Sequence, residues 1–532
     1  MKMFRKVIKV NAQYLPLPVS PRDDNHGFCS LWQNGKRIYE FFLDLDFKTP
    51  RFWTYCDMTR FLDKTMELII EDENITEEEF DSLVLSSTYP GAENLYNEHL
   101  RPQLHFSPAR GYISDPNGLL YYDGTYHIFF QHDIFNMGFV DWKDHVNMAW
   151  GHATSRDLIH WNETPDVLLP DDMGPAFSGS GVVDLKNISG LGNGEHPPIL
   201  LYYTAAGGQG RHTRHLKHTQ CLAYSIDGGK SFKKYENNPL IPYKSYGNRD
   251  PKVFFNPSLN VWMLFVYTDD GEKYFLYTSK NLMDWEYITD IKWDNMECPD
   301  LLYLPVNGDT NNKKMVLWGA NGGYMVIEFN GVELKPISNS KKLQSAFLHS
   351  CAQTFNNAPN DRCIQMSVFR MGCAETSLGC LSIPCDLTLH EKDGDYWLLS
   401  TPVSEIEKIR ISSDEYNAVK IDSNREFDAY KLMDIEIKMP ISNCEFNING
   451  IIITINKTEK YLKVFDESIP LNFDENLSLR ILMDVACVQI WEPNNRISLE
   501  FGFCALEPTF SIQGDLTIDS MKVSKLSSIW QK

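Results

Sequence analysis

The sequence predicts an all-β protein, and three observations carry this prediction. Short runs rich in aromatic and β-branched residues recur at 121–131, 261–268, 273–279, 314–320 and 324–331. Turn clusters of Gly, Asn, Asp and Pro separate these runs, and helical periodicity is rare. A degenerate repeat, in which a turn joins a strand to an aromatic residue, occurs at 154–163, 225–236 and 278–287. Such spaced repeats are typical of the blades of a β-propeller.

The composition divides the chain into β regions. Residues 1–95 carry strand-like runs and end in an acidic stretch that predicts a short helix, so we expect a small β domain there. Residues 96–408 hold the dense aromatic strands, and the charged stretch 409–424 is interpreted as a linker, either helix or loop. Over 425–532, apolar and polar residues alternate as they do in the half-buried strands of a β-sandwich.

Length and charge bound the class of partner. The chain has 532 residues, with 50 Lys and Arg against 71 Asp and Glu and a formal net charge of −21. Nucleic acids and anionic membranes are recognised by surplus Lys and Arg, so this acidic balance argues against both. No apolar run of about 18 residues is present, so no membrane-spanning helix is expected. We therefore expect a neutral partner.

The N-terminus and the cysteines bear on location. Lys6 and Lys9 interrupt the apolar stretch that a secretory signal requires, so we expect a cytoplasmic protein, with secretion left open. The 12 cysteines form no C-x-x-C pair, and we interpret most of them as small buried hydrophobic residues rather than zinc ligands or disulfides. The oligomeric state is undecided, and a homodimer stays open.

The segment HFSPARGYISDPNGLLYYDG contains the first candidate catalytic carboxylate, Asp115. Pro116 and Gly118 predict a tight turn at this point, and Asn117 offers an amide to sugar hydroxyl groups. Taken alone, the D-P-N-G motif also fits an ordinary turn that leads into a strand.

Two further carboxylates lie in comparable contexts. Asp250 follows Arg249 in YGNRDPKVFF, again before a predicted strand. Glu297 stands between Met296 and Cys298 in a locally apolar stretch. Apolar surroundings favour the protonated carboxyl group, which suits Glu297 to proton donation.

Together and in this order, the three segments resemble glycoside hydrolase family 32, the invertases, inulinases and levanases that act on β-fructofuranosides. Supporting stretches are HFSP (105–108), FFQH (129–132), AFSGSGVVD (176–184), CAQTF (351–355) and TPVSEI (401–406). The resemblance is strong over about 100–410, looser over the C-terminal sandwich and weakest over 1–95. It implies a five-bladed β-propeller with the active site in the funnel at one end of its axis, followed by a β-sandwich.

The resemblance implies a retaining β-fructofuranosidase that needs no cofactor and no metal. Asp115 would be the nucleophile and Glu297 the general acid and then base, with the two carboxyl groups about 5 to 5.5 Å apart. Asp250 would stabilise the transition state by accepting hydrogen bonds from fructose hydroxyls. The family positions that hold the sugar match Asn117, Gln131, Trp142, Phe177 and Ser178. Arg249 would orient the hydroxyl groups, and Ser114 is also expected to bind substrate.

The chain departs from the family just before the nucleophile. Tyr112 and Ser114 stand where the family usually has Trp and Asn, and both changes re-aim hydrogen-bonding groups near Asp115. One interpretation is neutral change within a hydrolase. The other is a less tightly organised nucleophile, which disfavours attack by water and favours fructosyl transfer to a sugar hydroxyl.

Two more departures lie elsewhere. His212, His215 and His218 recur every third residue in the loop 207–220, which we interpret as a positively charged loop over the funnel rather than a metal site. Phe369 stands where the family often has a Trp-containing strand, and it fits either a stacking surface or the propeller core.

Two other classes of function stay open. One is a sugar-binding propeller that has lost catalysis, and the other is a five-bladed glycosidase that acts on arabinosides. The retention of all three carboxylates argues against the first, and the combined motifs argue for fructose over arabinose. The preferred substrate among sucrose, raffinose, inulin and levan is not indicated.

Overall fold

The computed structural model describes residues 1–22, 26–137, 146–343, 350–472, 475–503 and 507–530. These residues confirm the all-β class, since strands dominate and one short α-helix is present among them. No helix in these ranges is long and apolar enough to cross a lipid bilayer.

The N-terminal region forms a four-stranded sheet and a separate strand pair. Its strands are β1 (Met3–Lys9), β2 (Tyr14–Val19), β3 (Phe28–Gln33), β4 (Lys36–Phe42), β5 (Phe52–Asp57) and β6 (Thr65–Glu71). The sheet order is β1-β6-β3-β4, and β2 pairs with β5. The acidic stretch forms α1 (Glu77–Ser82), which begins with a capping box between Thr76 and Glu79. Such reciprocal hydrogen bonds satisfy the first backbone donors of a helix.

The middle region begins with four consecutive four-stranded antiparallel meanders. The first contains β7 (Gly111–Tyr122), β8 (Thr125–Asp133), β9 (Ala149–Ser155) and β10 (Asn162–Leu168). The second contains β11 (Ala176–Val183), β12 (Ile199–Ala206), β13 (His218–Ser225) and β14 (Lys233–Lys234). The third contains β15 (Arg249–Asn256), β16 (Val261–Thr268), β17 (Lys273–Ser279) and β18 (Glu286–Lys292). The fourth contains β19 (Asp300–Val306), β20 (Asp309–Trp318), β21 (Gly323–Phe329) and β22 (Leu334–Pro336).

A fifth group of strands completes this region. It contains β24 (Gln353–Thr354), β25 (Ile364–Met366), β26 (Val368–Ala374), β27 (Ser377–Leu381), β28 (Cys385–Lys392) and β29 (Asp395–Pro402). The short strand β23 (Lys341–Lys342) pairs with β21 of the fourth meander. The first strands contact one another in the order β7, β11, β15, β19 and β24, and β24 contacts β7. Five propeller blades would have this order, and the contacts support the five-bladed closure, which stays a prediction.

The C-terminal region contains two six-stranded sheets, with orders β30-β41-β32-β37-β38-β39 and β31-β40-β33-β34-β35-β36. The strands are β30 (Arg410–Ile421), β31 (Asn424–Glu426), β32 (Met433–Pro440), β33 (Cys444–Ile448), β34 (Ile451–Asn456), β35 (Tyr461–Val464), β36 (Glu467–Pro470), β37 (Asn476–Met483), β38 (Cys487–Glu492), β39 (Ile497–Gly502), β40 (Phe510–Gly514) and β41 (Leu516–Leu526). Both sheets contribute to one apolar core, as in a β-sandwich.

The predicted linker over 409–424 is wrong. Most of this stretch forms β30, which pairs antiparallel with β41 along most of its length. β30 lies at the end of its sheet, and most of its side chains are exposed or half-buried. Charged residues are typical of such edge strands because they discourage pairing with another chain, so the charge that suggested a linker belongs to a strand edge.

The sandwich is joined to the middle region by buried polar contacts. The Trp530 indole donates to the Pro102 carbonyl at 2.7 Å, and its ring stacks on Tyr96. His105 lies between Asp484 and Gln489 with its two ring nitrogens 2.8 Å from an oxygen of each. These contacts anchor the chain just before β7 and thereby position the strand that carries Asp115.

Candidate active site

The structure brings the three predicted carboxylates together. Asp115 lies on β7, Asp250 is the second residue of β15, and Glu297 lies three residues before β19. These are the first strands of three different meanders, and each carboxylate lies near the N-terminal end of its strand. Because the first strands contact their neighbours, residues at these ends converge on one site.

Asp115 is hydrogen bonded at both carboxylate oxygens. The Ser114 hydroxyl donates to Oδ1 at 3.0 Å, and the Ser178 hydroxyl on β11 donates to Oδ2 at 2.7 Å. The D-P-N-G segment is part of β7 and not the predicted tight turn. Pairing between β7 and β8 is irregular on both sides of Pro116 and Asn117, and such bulges re-aim side chains.

Asp250 is buried beside Asp115. Its own N–H donates to the Thr204 hydroxyl at 2.9 Å, and its Oδ2 accepts from the Cys298 N–H at 3.2 Å. Burial is the largest cause that raises the pKa of Asp250, the Arg249 guanidinium opposes it, and the negative charges of Glu297 and Asp115 raise it further. A neutral Asp250 is therefore favoured over a wider pH range than for an exposed carboxyl.

The guanidinium of Arg249 joins the other groups of the site. Its Nε and Nη2 lie 2.8 and 2.7 Å from Oε2 of Glu297, and its Nη1 donates to Asp269 at 2.8 Å. The expected apolar surroundings of Glu297 are wrong, because its neighbour Met296 is 53% exposed and the carboxylate faces a cation. Sequence neighbours on a short loop point to different sides, so they do not form the environment of the side chain.

One cysteine lies between two of the carboxylates. The Cys298 thiol is 3.5 Å from Oδ2 of Asp115 and 3.5 Å from Oδ2 of Asp250. The thiol has one proton, so it can donate a hydrogen bond to only one of the two carboxylates at a time. The E-C dipeptide was the available signal for this residue, but sequence reasoning treated the cysteine only as a neighbour of Glu297.

Four residues of the site have left-handed backbone. Asp250, Met296, Cys298 and Cys351 have φ values of 62°, 60°, 50° and 50°, in the left-handed region that costs a residue with a Cβ on the order of 1 kcal/mol or more. Backbone hydrogen bonds hold two of these segments together, since Ala320 donates to the Glu297 carbonyl and accepts from the Cys351 N–H, each at 3.0 Å. Such strain is typical of functional sites.

Two predicted sugar-binding amides are buried in the surrounding framework. The Oδ1 of Asn117 accepts from the Gly179 N–H at 3.2 Å, and its Nδ2 has no hydrogen-bond partner among the described residues. The amide of Gln131 donates to the Ala176 carbonyl at 2.9 Å. Both side chains therefore position β11, and their contact with a sugar stays a prediction.

The predicted aromatic positions differ in their surroundings. Phe177 is half-buried, and its ring edge meets His218 at a centroid distance of 5.8 Å. Trp142 lies outside the described residues. Phe369 is 4% exposed and packs with Cys380 and Cys487, so of its two interpretations the structure favours a core residue over a stacking surface.

The histidine-containing loop faces the N-terminal region. Arg211 pairs with Glu40 at 2.8 Å and with Glu71 at 2.5 Å, and His212 lies 3.2 Å from Glu40. His218 is on β13, where burial lowers its pKa to about 4. Carboxylates of β4 and β6 therefore neutralise Arg211, whereas Arg214, His215 and Lys217 of the same loop are exposed. The interpretation of the loop as a positive surface over the funnel stays a prediction.

Sequence reasoning missed two groups beside the site. Lys252 and Asp300 form a buried ion pair at 2.5 Å between β15 and β19, and each follows a predicted motif, in R-D-P-K and E-C-P-D. Thr204, which receives the Asp250 N–H, lies on β12 far from any motif. Only the arrangement of the strands could indicate it.

Comparisons with known proteins agree with this geometry. The family described as "Glycosyl hydrolases family 32 N-terminal domain" matches residues 105–402. A levanase of Bacillus subtilis is 32% identical over 402 residues, covering 66% of this chain and 55% of its own. An extracellular exo-inulinase of Aspergillus ficuum is 36% identical over 276 residues, covering 45% of this chain and 50% of its own.

Solved structures share the fold. The crystal structure of an exo-inulinase from Aspergillus awamori superimposes with a TM-score of 0.69 at 23% identity, covering 82% of this chain and 100% of that one. The present chain spans about half the length of the curated relatives it matches. The family match covers more than half of the chain and includes all three carboxylates, and the chain therefore belongs to glycoside hydrolase family 32.

Proposed function

We propose that this protein is a retaining β-fructofuranosidase that releases terminal β-D-fructofuranosyl units from sucrose, from fructans, or from both. The observation that carries the proposal is the meeting of Asp115, Asp250 and Glu297 around the Arg249 guanidinium and the Cys298 thiol. Relatives named as a levanase, an exo-inulinase and an invertase support the class of substrate.

In the first step, a carboxylate oxygen of Asp115 attacks the anomeric carbon of the fructosyl unit. The bond from that carbon to the glycosidic oxygen breaks, its electron pair stays on the oxygen, and Glu297 supplies the proton. The hydroxyls of Ser114 and Ser178 hold the carboxylate in one orientation. Fixing the nucleophile in this way lowers the entropic part of the barrier.

In the second step, Glu297 removes a proton from water, and the water oxygen attacks the same carbon. The ester bond to Asp115 breaks and fructose leaves with its anomeric configuration retained. The two steps need Glu297 protonated first and ionised afterwards.

Asp250 and Arg249 would bind the sugar hydroxyls. The raised pKa of Asp250 extends the proposed role, because a protonated carboxyl donates one hydrogen bond as well as accepting others. Arg249 is held between Glu297 and Asp269, so it can keep the acid in place while the leaving group changes.

The test is a product analysis on sucrose, inulin and levan, followed by the same reaction in aqueous methanol. We expect free fructose from at least one substrate and, with methanol, the methyl β-fructofuranoside detected by NMR. Release of arabinose from an arabinan without release of fructose would contradict the substrate class. An α-configured methyl product would contradict the retaining mechanism.

Fructosyl transfer is the alternative outcome of this experiment. It was inferred from a loosely organised nucleophile, whereas the Ser114 hydroxyl donates to Asp115 directly and Ser178 holds the other oxygen. The hydrogen bonds therefore support the hydrolase. Trisaccharide formation from concentrated sucrose, in preference to free fructose, would reverse this conclusion.

A cytoplasmic location is also proposed. No disulfide joins the cysteines that the structure describes, and reducing compartments keep thiols in this state. Cell fractionation tests the location, and gel filtration of the purified chain distinguishes a monomer from the homodimer.

A further inference from the structure

A cluster of two thiols and one carboxylate lies in the floor of the site. The sulfurs of Cys298 and Cys351 and a carboxylate oxygen of Asp115 all lie within 4.8 Å of one another. We propose that this thiol cluster, Asp115, Cys298 and Cys351, binds a thiophilic divalent cation such as Zn²⁺ or Cd²⁺ and that the bound cation inhibits the enzyme. The binding part of this proposal is independent of the proposed function, and the inhibition part rests on it.

The two cysteines come from loops that are fixed relative to each other. Cys298 precedes β19 and Cys351 precedes β24. The backbone of Ala320 links them, since it donates to the carbonyl of Glu297 and accepts from the N–H of Cys351. Both cysteines have left-handed backbone and are buried, so the fold fixes where their side chains begin and limits the space in which the sulfurs can move.

The donor set selects the class of cation. Thiolates favour zinc and other soft cations, whereas magnesium and calcium require oxygen donors. Zinc is bound at about 2.3 Å from sulfur and about 2.0 to 2.2 Å from a carboxylate oxygen, in a tetrahedron. Donors separated by less than 4.8 Å reach these distances with small side-chain shifts. Three protein ligands leave the fourth position for water, and binding releases the thiol protons.

The cluster is reached from the side of Asp115. Both cysteines are buried, at 1% and 2% exposure, whereas Asp115 is half-buried. Glu297 and Asp269 lie nearby with the Arg249 guanidinium between them, so two carboxylates face one cation. The resulting field attracts a cation toward the cluster.

A bound cation should inhibit the reaction because the Asp115 carboxylate would be both the nucleophile and a metal ligand. A cation bound to the Asp115 carboxylate takes the electron pair that the nucleophile needs and also fills the space where the sugar would lie. Inhibition is therefore expected to be competitive with substrate and reversed by a chelator. Cys351 takes no part in the proposed bond-making steps, so its replacement should leave the activity without metal unchanged.

The experiment uses the full chain, reduced with a phosphine that leaves thiols free. Cd²⁺ is titrated while the ultraviolet band of cadmium–thiolate bonds is followed, and Zn²⁺ affinity is measured by calorimetry. The variants Cys351→Ser and Cys351→Ala should bind at least about tenfold more weakly, since loss of a supporting residue alone costs that much. Mg²⁺ should give no heat and no inhibition at the same concentrations.

A second group of potential metal ligands provides the matched control. His105, Asp484 and Cys487 also place three donor atoms within 4.8 Å of one another, but all three residues are buried away from solvent. Cys487→Ser should therefore bind Zn²⁺ as the unmodified chain does. Thermal melting of every variant shows whether it is folded, and because Cys351 has two replacements of different polarity, failure of one to fold leaves the other decisive.

The outcomes are distinct. Unchanged Zn²⁺ and Cd²⁺ affinity in both folded Cys351 variants, or no binding by the unmodified chain, would overturn the site. Zinc inhibition that is not competitive with substrate would overturn the inhibitory role. Metal binding that depends on Cys351 in a protein that cleaves no fructoside would contradict the proposed function and leave the metal site standing.

Discussion

The active site and the sandwich both contain a buried carboxyl group with a raised pKa, but the two groups have different surroundings. Asp250 accepts from the Cys298 N–H and lies near Arg249, Glu297 and Asp115. Glu500 on β39 is fully buried, and neither carboxylate oxygen has a hydrogen-bond partner among the described residues. Burial raises the pKa of both. A perturbed pKa therefore indicates function only when reacting groups lie beside it.

The candidate site and the sandwich also differ in the regularity of their backbone. Four residues at the candidate site that carry a Cβ are left-handed, whereas β32 of the sandwich is regular and buries alternate side chains, namely Met433, Ile435, Ile437 and Met439. Regular alternation maximises apolar burial, and strain reduces stability in return for position. We infer that the sandwich contributes mainly stability and the inner strands mainly geometry.

The largest expected effect is on catalysis. Asp115→Asn and Glu297→Gln should each lower kcat by about 10³-fold or more, because we propose that each residue takes part in bond making or proton transfer. Glu500→Gln is the matched control, since it makes the same carboxyl-to-amide change in the sandwich, away from the site, and its kcat should stay within about twofold. Steady-state kinetics on the preferred fructoside would test this. A large fall in kcat in Glu500→Gln would contradict the distinction between the carboxyl groups of the active site and the buried carboxyl group of the sandwich.

Truncation of a core side chain in the sandwich should lower stability and leave kcat unchanged. Ile435→Ala should lower the free energy of unfolding by about 2 to 5 kcal/mol, because it removes buried methyl groups and leaves a cavity. Urea denaturation monitored by fluorescence measures this loss. The kcat of the folded fraction should match that of the unmodified protein, and a proportionate fall in kcat would show that the sandwich shapes the site.

A smaller effect is expected from Arg249→Lys. A lysine has one ammonium and cannot replace the several contacts that the guanidinium makes with Glu297 and Asp269. We expect kcat to fall by about 10- to 100-fold, or about 1.4 to 2.8 kcal/mol of the barrier, with little change in melting temperature. An unchanged pH profile of kcat with full activity would remove Arg249 from the positioning of the acid.

The smallest expected effect is a change of stability with pH. The folded-state pKa of Glu500 is raised above the unfolded value of about 4.3. Its contribution to stability is therefore present below about pH 4 and is lost as pH rises through the folded-state pKa. Glu500→Gln lacks this loss, so the variant should gain about 1 kcal/mol or more at neutral pH and nothing at pH 4. Melting curves from pH 4 to pH 8 measure the difference.

The Asp250→Asn variant sharpens the same comparison. Burial raises the pKa of Asp250 as well. As with Glu500→Gln, the variant should therefore gain stability relative to the unmodified protein as pH rises above about 4. Unlike Glu500→Gln, it should also lose most of its activity. If Asp250→Asn and Glu500→Gln lost the same fraction of activity, the loss in Asp250→Asn would not be evidence that Asp250 acts at the active site.

Local pattern was sufficient for much of this protein. Aromatic and β-branched runs separated by turn residues predicted the all-β class, and the alternation after residue 425 predicted the sandwich strands. The order of Asp115, Asp250 and Glu297 along the chain carried the resemblance to the family. These features could be predicted because burial of alternate side chains and turn chemistry depend on neighbouring residues.

Other features depended on tertiary structure. The charge over 409–424 could not distinguish a linker from the edge strand β30 before its partner β41 was placed. The charges of Arg211 were cancelled by Glu40 and Glu71, about 140 to 170 residues away.

By itself, then, the sequence determined the all-β class and most of the strands, because alternation and turn residues are local features, and it supplied the three motifs that contain Asp115, Asp250 and Glu297. Only the tertiary structure decided which groups face those carboxylates. It brought the thiol of Cys351 to Cys298 and the guanidinium of Arg249 to Glu297. The physical reason is that the environment of a side chain is set by the strands packed around it, and their order cannot be read from any one segment.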